Sequence, residues 1–214
     1  MRVISVNVGL PREVVWQGIQ VETAIFKDPV DGAVKIGELN LAGDKQADLT
    51  VHGGPEKAVY AYPADHYEYW RKELPKVAFS PGKFGENLTT EGLGEDTLCI
   101  GDRLRIGTAV LIVTQPRLPC YKLEVRFGRD DMIKRFLASG RSGFYFSVVE
   151  PGEVRSGSEI EILSRDANGV TVANIQQLYL GENREQELLQ RAINLSALPE
   201  NWKGSLLERS RARG

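Results

Sequence analysis

Side chains suited to metal or thiol chemistry are scarce in this 214-residue chain, which has only two cysteines and two histidines. Two cysteines in unlike surroundings do not read as a structural disulfide, and with His52 and His66 they give no zinc-ligand spacing. An excess of charge is missing too. Lys and Arg total 27 against 29 Asp and Glu, a formal charge of −2 that argues against general polyanion binding. No stretch approaches the roughly 20 apolar residues a membrane span requires. The N-terminus, Met1-Arg2-Val3-Ile4-Ser5-Val6-Asn7-Val8, alternates like a first strand and lacks the apolar core and cleavage site of a signal peptide, so a cytoplasmic protein is expected. The chain does have a hydrophobic content of 42%, enough for a real core.

Up to Ser164, short apolar or alternating runs are broken by glycine and proline: Val34 to Ile36, Ala58 to Tyr62, Leu98 to Ile106, Val110 to Val113, Phe144 to Val149 and Ile160 to Leu163. That rhythm predicts a mainly β architecture, a barrel or two packed sheets, rather than a wound α/β sheet. Pro63 to Leu74 and Arg129 to Ser139 read as peripheral helices. Glu95 to Ile106 is echoed by Glu150 to Ile162, which suggests two hairpins of one kind closing the two ends of a barrel.

Beyond Asn168-Gly169, a turn dipeptide, the period becomes helical. Val172, Ile175, Leu178 and Tyr179 mark one helix, Leu188, Leu189, Ala192 and Ile193 a second with Asn183 as its cap, and Trp202, Leu206 and Leu207 a third starting near Pro199. The chain is thus expected to divide into residues 1–164, the β domain, and 165–214, a three-helix domain. The latter carries seven basic and six acidic side chains without a basic stripe, so no nucleic-acid partner is expected. Such short helices must bury their apolar faces on the β domain or on a second copy of the chain, and a homodimer with this segment at the contact is expected.

Cys120 stands out in Gln115-Pro116-Arg117-Leu118-Pro119-Cys120-Tyr121-Lys122. Two prolines end the preceding strand and stiffen the turn, and flanking cations favour a thiolate. A nucleophile, a soft metal ligand and a small buried hydrophobe all remain open. Cys99, among apolar neighbours, reads as core. Asp48 to Lys57 sets His52 and Lys57 around Gly53-Gly54, where backbone amides can approach an anion, but it lacks the ending of a P-loop. Gly140-Arg141-Ser142-Gly143 and Phe84-Gly85-Glu86-Asn87-Leu88 are similar, each also compatible with a plain turn.

In order along the chain, Gly43-Asp44-Lys45-Gln46-Ala47-Asp48, His52 to Tyr62, Gly85-Glu86-Asn87, Gln115 to Leu123 and Gly140-Arg141-Ser142-Gly143-Phe144-Tyr145 resemble a MOSC domain, the C-terminal domain of molybdenum-cofactor sulfurases. More narrowly the chain resembles the stand-alone bacterial YiiM type, which carries a three-helix C-terminal domain and is linked to hydroxylaminopurine resistance. Gly157-Ser158 departs from the Gly-Asp frequent there, while Gly101-Asp102 keeps it, so only a structural change is expected.

The resemblance implies a MOSC-type β-barrel with a few short peripheral helices and a small three-helix C-terminal domain. It also implies that Cys120 is the ligand of molybdenum or the carrier of activated sulfur. A thiolate suits a metal already held by the two sulfurs of a pterin dithiolene, and the pterin's phosphate calls for cations and amide donors. Position in the motifs assigns that work to Lys27, His52, Lys57, Asn87, Arg117, Lys122, Arg141, Ser142 and Gly143, with Lys27 from Ala24 to Val30. The implied activity is reduction of N-hydroxylated compounds, such as N-hydroxylated purine bases, to the amine and water, with His52 as a possible source of protons. No flavin, haem or iron–sulfur motif is visible, so electrons are expected from a separate donor protein. The alternative is a carrier that passes sulfur or the whole molybdenum cofactor through a Cys120 persulfide or thiolate.

Overall fold

The computed structural model describes residues 1–47, 53–183 and 185–212. The chain runs through β1 (Arg2–Val8), β2 (Arg12–Trp16), β3 (Ile19–Thr23), β4 (Asp28–Pro29), β5 (Val34–Ile36), β6 (Val59–Pro63), α1 (Tyr67–Glu73) and β7 (Leu88–Glu91). It continues through β8 (Arg103–Ile106), β9 (Ala109–Pro116), α2 (Tyr121–Phe127), α3 (Met132–Ser139), β10 (Phe144–Glu150), β11 (Gly152–Val154) and β12 (Ile160–Ser164). The helices α4 (Val172–Leu180), α5 (Gln186–Ile193) and α6 (Glu200–Arg211) follow. No helix among the described residues is long and apolar enough to cross a membrane.

Eight strands form one sheet in the order β12-β8-β9-β10-β6-β7-β1-β4, antiparallel except for the parallel pair β6 and β7. Among the described residues β1 and the chain just before β12 are joined by an isolated antiparallel bridge between Arg2 and Glu159 rather than by a full ladder. Beside it the Val3 amide donates to the Ser158 carbonyl (2.9 Å) and the Gly157 amide to the Val3 carbonyl (2.8 Å). The two echoing segments do not cap opposite ends. Their last strands, β8 and β12, are neighbours, with Ile106 opposite Ile160 and Leu104 opposite Ile162. Repeating one apolar alternation lets the two pair on a shared face. Ser158 accepts the Arg155 amide across its own turn (3.0 Å), in keeping with a structural role.

Strand alternation separates two cores. On β6, Val59 and Ala61 enter the main core while Tyr60 and Tyr62 enter an aromatic cluster on the other face. On β10, Phe144 and Phe146 join the main core and Tyr145 packs against the aromatic cluster. That second cluster, with Trp70, Phe84, Leu123, Phe127 and Phe136, seats α1, α2 and α3. The helix α2 was not among the expected elements. Nor was the hairpin of β2 and β3, which turns at Gln17 and Gly18, both at positive φ as a tight two-residue hairpin turn requires.

The C-terminal helices share the main core. Leu178, Leu188, Leu189, Ala192, Trp202 and Leu206 are buried in the same cluster as Leu111, Val113 and Phe144. Within α4, Thr171 and Asn174 form a reciprocal capping box at 3.1 Å, and Gly181 ends the helix in the left-handed region. Asn183 is not the cap of α5, as expected, because helical geometry starts later, at Gln186; its side chain instead accepts the Glu185 amide at 2.9 Å. Most of the apolar faces that suggested a dimer contact are thus buried within the chain itself, while Ile193 and Leu207 are half-buried. Trp202 links the parts most directly, donating its indole N–H to Oε1 of buried Gln115 on β9 at 2.5 Å. Trp202→Ala removes that volume and the Gln115 partner and is expected to cost about 3–5 kcal/mol. Urea denaturation measures the loss, and one below about 1 kcal/mol would contradict a shared core.

Candidate functional site

One cleft of about 620 Å³, measured out to open solvent, lies where the ends of several strands meet on the aromatic side of the sheet. Lys27 reaches it from the segment after β3, Asp44 and Lys45 from the loop after β5, and Lys57 and Tyr60 from the start of β6. Asn87 comes from the approach to β7, Arg117, Cys120 and Lys122 from the connection between β9 and α2, and Tyr145 from β10. Among the described residues, five cationic side chains and the Asp44 carboxylate line the cleft, and one thiol stands among them.

Local chemistry places the thiol. Pro116 is the last residue of β9, and Pro119 keeps the next stretch extended up to Cys120, whose backbone is still extended (φ −126°, ψ 173°). The Cys120 carbonyl then accepts the Leu123 amide at 2.9 Å as α2 begins. Cys120 is half-buried and in no disulfide, and Lys122 enters the cleft from the first turn.

Two of the cations, Lys27 and Arg117, are fixed from behind. Lys27 is buried and forms an ion pair with Asp44, whose carboxylate also accepts the Gly9 amide (2.8 Å) and the Asn87 side-chain amide (2.8 Å). Burial pulls the Lys27 ammonium below its usual range, with Asp44 opposing that pull. Asn87 Oδ1 accepts the Tyr60 backbone amide at 3.1 Å, so its side chain is engaged on both ends. Arg117 is buried, donates to the Phe84 carbonyl and lies over the Tyr60 ring, 4.7 Å from its centre. Burial works against its charge, but Tyr60, Tyr145 and Cys120 beside it hold the guanidinium above its ordinary value. The Tyr60 hydroxyl donates to the Ser142 carbonyl at 2.8 Å, and burial pushes that phenol well up.

Of the residues singled out from sequence, Lys27, Lys57, Asn87, Arg117, Cys120 and Lys122 line this cleft. His52 lies outside the described residues. Arg141, Ser142 and Gly143 do not line the cleft but brace its wall. Gly140 turns the chain in the left-handed region, and Arg141 lies on the Tyr69 ring at 3.9 Å and donates to the Ser139 carbonyl at 2.7 Å. The Gly143 amide donates to Glu95 Oε1 (2.7 Å), whose other oxygen meets His66 Nε2 (2.7 Å). A Cβ on Gly143, at φ 62°, would stand 2.4 Å from the Ala61 carbonyl and 2.9 Å from the Tyr60 hydroxyl, so glycine is needed for Tyr60 to reach its acceptor. Cys99, expected in the core, is half-buried because it lies at the surface turn where its amide donates to Asp102 Oδ2 (3.0 Å); burial and Asp102 raise its thiol. Sequence reasoning assigned no role to Asp44, Lys45, Tyr60 or Tyr145. The paired tyrosines in β6 were the available signal, since polar-tipped rings alternate there with small core residues.

Among the described residues no group of three or more His, Cys, Asp or Glu side chains could hold a metal by itself. One thiol ringed by cations suits a metal whose other ligands arrive on an anionic organic group.

Residues 48–161 match the MOSC domain, and residues 170–209 match the YiiM-like, 3-alpha helix domain. The protein YflK of Bacillus subtilis is 41% identical over 97% of this chain and 93% of its own length. A Gibberella moniliformis protein named Reductase is 35% identical over 83% of this chain, which spans 32% of that larger protein. The crystal structure of YiiM from Geobacillus stearothermophilus matches with a TM-score of 0.81 at 32% identity, over 98% of both chains.

Asp44→Asn leaves Lys27 buried without its counter-charge. It is expected to lower stability by about 3 kcal/mol, the lower end for a broken buried pair because Lys27 borders the cleft. Chemical denaturation measures this, and a loss under about 1 kcal/mol would show that the pair is not what holds the loop after β5.

Proposed function

The chain belongs to the MOSC-domain family, in the arrangement that adds a YiiM-like three-helix domain, and on that premise we propose that its cleft holds the molybdenum cofactor and reduces N-hydroxylated compounds, such as N-hydroxylated purine bases, to amines. One observation carries this reading: among the described residues, Cys120 shares a cleft with Lys27, Lys45, Lys57, Arg117 and Lys122 against the one carboxylate of Asp44. Such a balance favours an anion, and the terminal phosphate of a pterin is one. The thiol is the group that would ligate the metal. When bound, the cofactor supplies the two-electron chemistry that N–O cleavage requires.

The chain's own residues bind and orient. Lys45, Lys57 and Lys122 provide point charges for the phosphate, while Arg117, locked by Phe84 and Tyr60, provides a planar fork of fixed direction. Lys27 is held by Asp44 and contributes less net charge than its neighbours. The aromatic wall of Tyr60 and Tyr145 excludes water from one side. Electrons come from a separate donor protein, and the relative named Reductase supports the class of reaction.

Protein from a host that makes the cofactor, supplied with reduced methyl viologen and N-hydroxylaminopurine, is expected to form the amine. Cys120→Ser is expected to lower that rate at least about 100-fold without changing the unfolding temperature, because a half-buried thiol contributes little packing. Cys99→Ser is expected to keep the activity. Equal rates in wild type and Cys120→Ser would remove Cys120 from the chemistry.

A further inference from the structure

We propose that Tyr145 is the group that protonates the departing hydroxyl of the substrate, an assignment that rests on the reductase reading. Conversion of R–NH–OH to R–NH₂ and water breaks the N–O bond and takes up two electrons and two protons. The electrons are supplied by the external donor through the cofactor. One proton ends on nitrogen and is drawn from solvent at the open side of the cleft. The other must reach the hydroxyl oxygen as the bond breaks, because hydroxide is a poor leaving group, and a positioned acid is worth roughly 10²–10⁴ in rate.

The placement of Tyr145 follows from strand geometry. It lies opposite Tyr60 of β6 and Gln115 of β9, so the alternation that sends Phe144 and Phe146 into the main core turns Tyr145 to the face that carries the cleft. Its ring centre is 5.0 Å from that of Tyr60, and both Arg117 and Cys120 are near enough for their charges to act on it. The two phenols at the cleft differ. Tyr60 gives its hydroxyl hydrogen to the Ser142 carbonyl, and Gly143 fits so closely against that hydroxyl that the ring is fixed there. Tyr145 is therefore the phenol assigned to substrate. Lys27 is committed to Asp44, and the remaining cations are those the reading uses for the phosphate. A phenol keeps its O–H at neutral pH, and Arg117 lies near enough to oppose the charge left after transfer. Solvent at the open side of the cleft returns the proton.

The test is Tyr145→Phe in the cofactor-loaded full chain, with reduced methyl viologen and N-hydroxylaminopurine, alongside molybdenum analysis and thermal unfolding. The ring and its packing are kept, so the fold and metal content are expected to match wild type. KM is expected to stay the same while kcat falls about 100-fold. A variant with full metal content and kcat within about threefold of wild type overturns the assignment. Metal loss in the variant also overturns it, since Tyr145 would then hold the cofactor. If metal-loaded wild type forms no amine, the reductase reading itself fails and this assignment fails with it.

Discussion

A buried carboxylate, Asp44, ties together the segments that line the cleft. It accepts hydrogen bonds from the Gly9 amide, the Lys27 ammonium and the Asn87 side chain, and Asn87 in turn holds the Tyr60 backbone. Four segments, after β1, after β3, before β7 and within β6, are thereby tied to the loop that follows β5. The attraction between two buried charges scarcely offsets their lost hydration, so a pair like this contributes geometry more than stability. A close backbone approach supports it. Gly82, at φ 80°, lies so near the Lys27 carbonyl that a Cβ would stand 2.4 Å from it. Beneath it, the Glu86 carboxylate accepts the Gly82 and Phe84 amides and the Tyr67 and Thr89 hydroxyls, while burial pushes that carboxyl up.

With that frame fixed, electrostatics points to the ligand. Among the described residues five cations from four separate segments converge, and Asp44 pairs with Lys27. Arg117 can stay charged while buried because a carbonyl accepts from it and a tyrosine ring lies under it. The excess of cations over carboxylates among the described lining residues suits an anion, and the proposed metal cofactor would use the thiol among them. The C-terminal helices act at a distance, covering the other face of β9 so that it can pass through the protein with both faces buried.

What could be read in the sequence was what is local. Alternation marked β6, β9, β10 and β12, and helical spacing marked α1, α3 and the C-terminal helices. The prolines around Arg117 and Leu118 marked an unusual thiol. The short β2 and β3, with exposed Val15 (72%) and Ile19 (67%), bury too little to show a clear pattern. The helix α2 was hidden behind the Pro119-Cys120 turn, whose signals announce the end of a strand rather than the start of a helix. Convergence is not local. Lys27 and Arg117 reach one cleft, whereas Arg141, equally basic but in a glycine-flanked loop, stacks on Tyr69 beyond the left-handed turn at Gly140. Asp44 and Tyr145 could be assigned only once the strands were in register.

The central claim is that this cleft holds an anionic, metal-bearing pterin beside Cys120. Metal and pterin analysis of the wild-type protein, purified in parallel from a host that makes the molybdenum cofactor and from one that cannot, tests it most directly. The account predicts molybdenum and a phosphorylated pterin in amounts stoichiometric with the chain from the first host, and neither from the second. Equal background levels of both in the two preparations would contradict it.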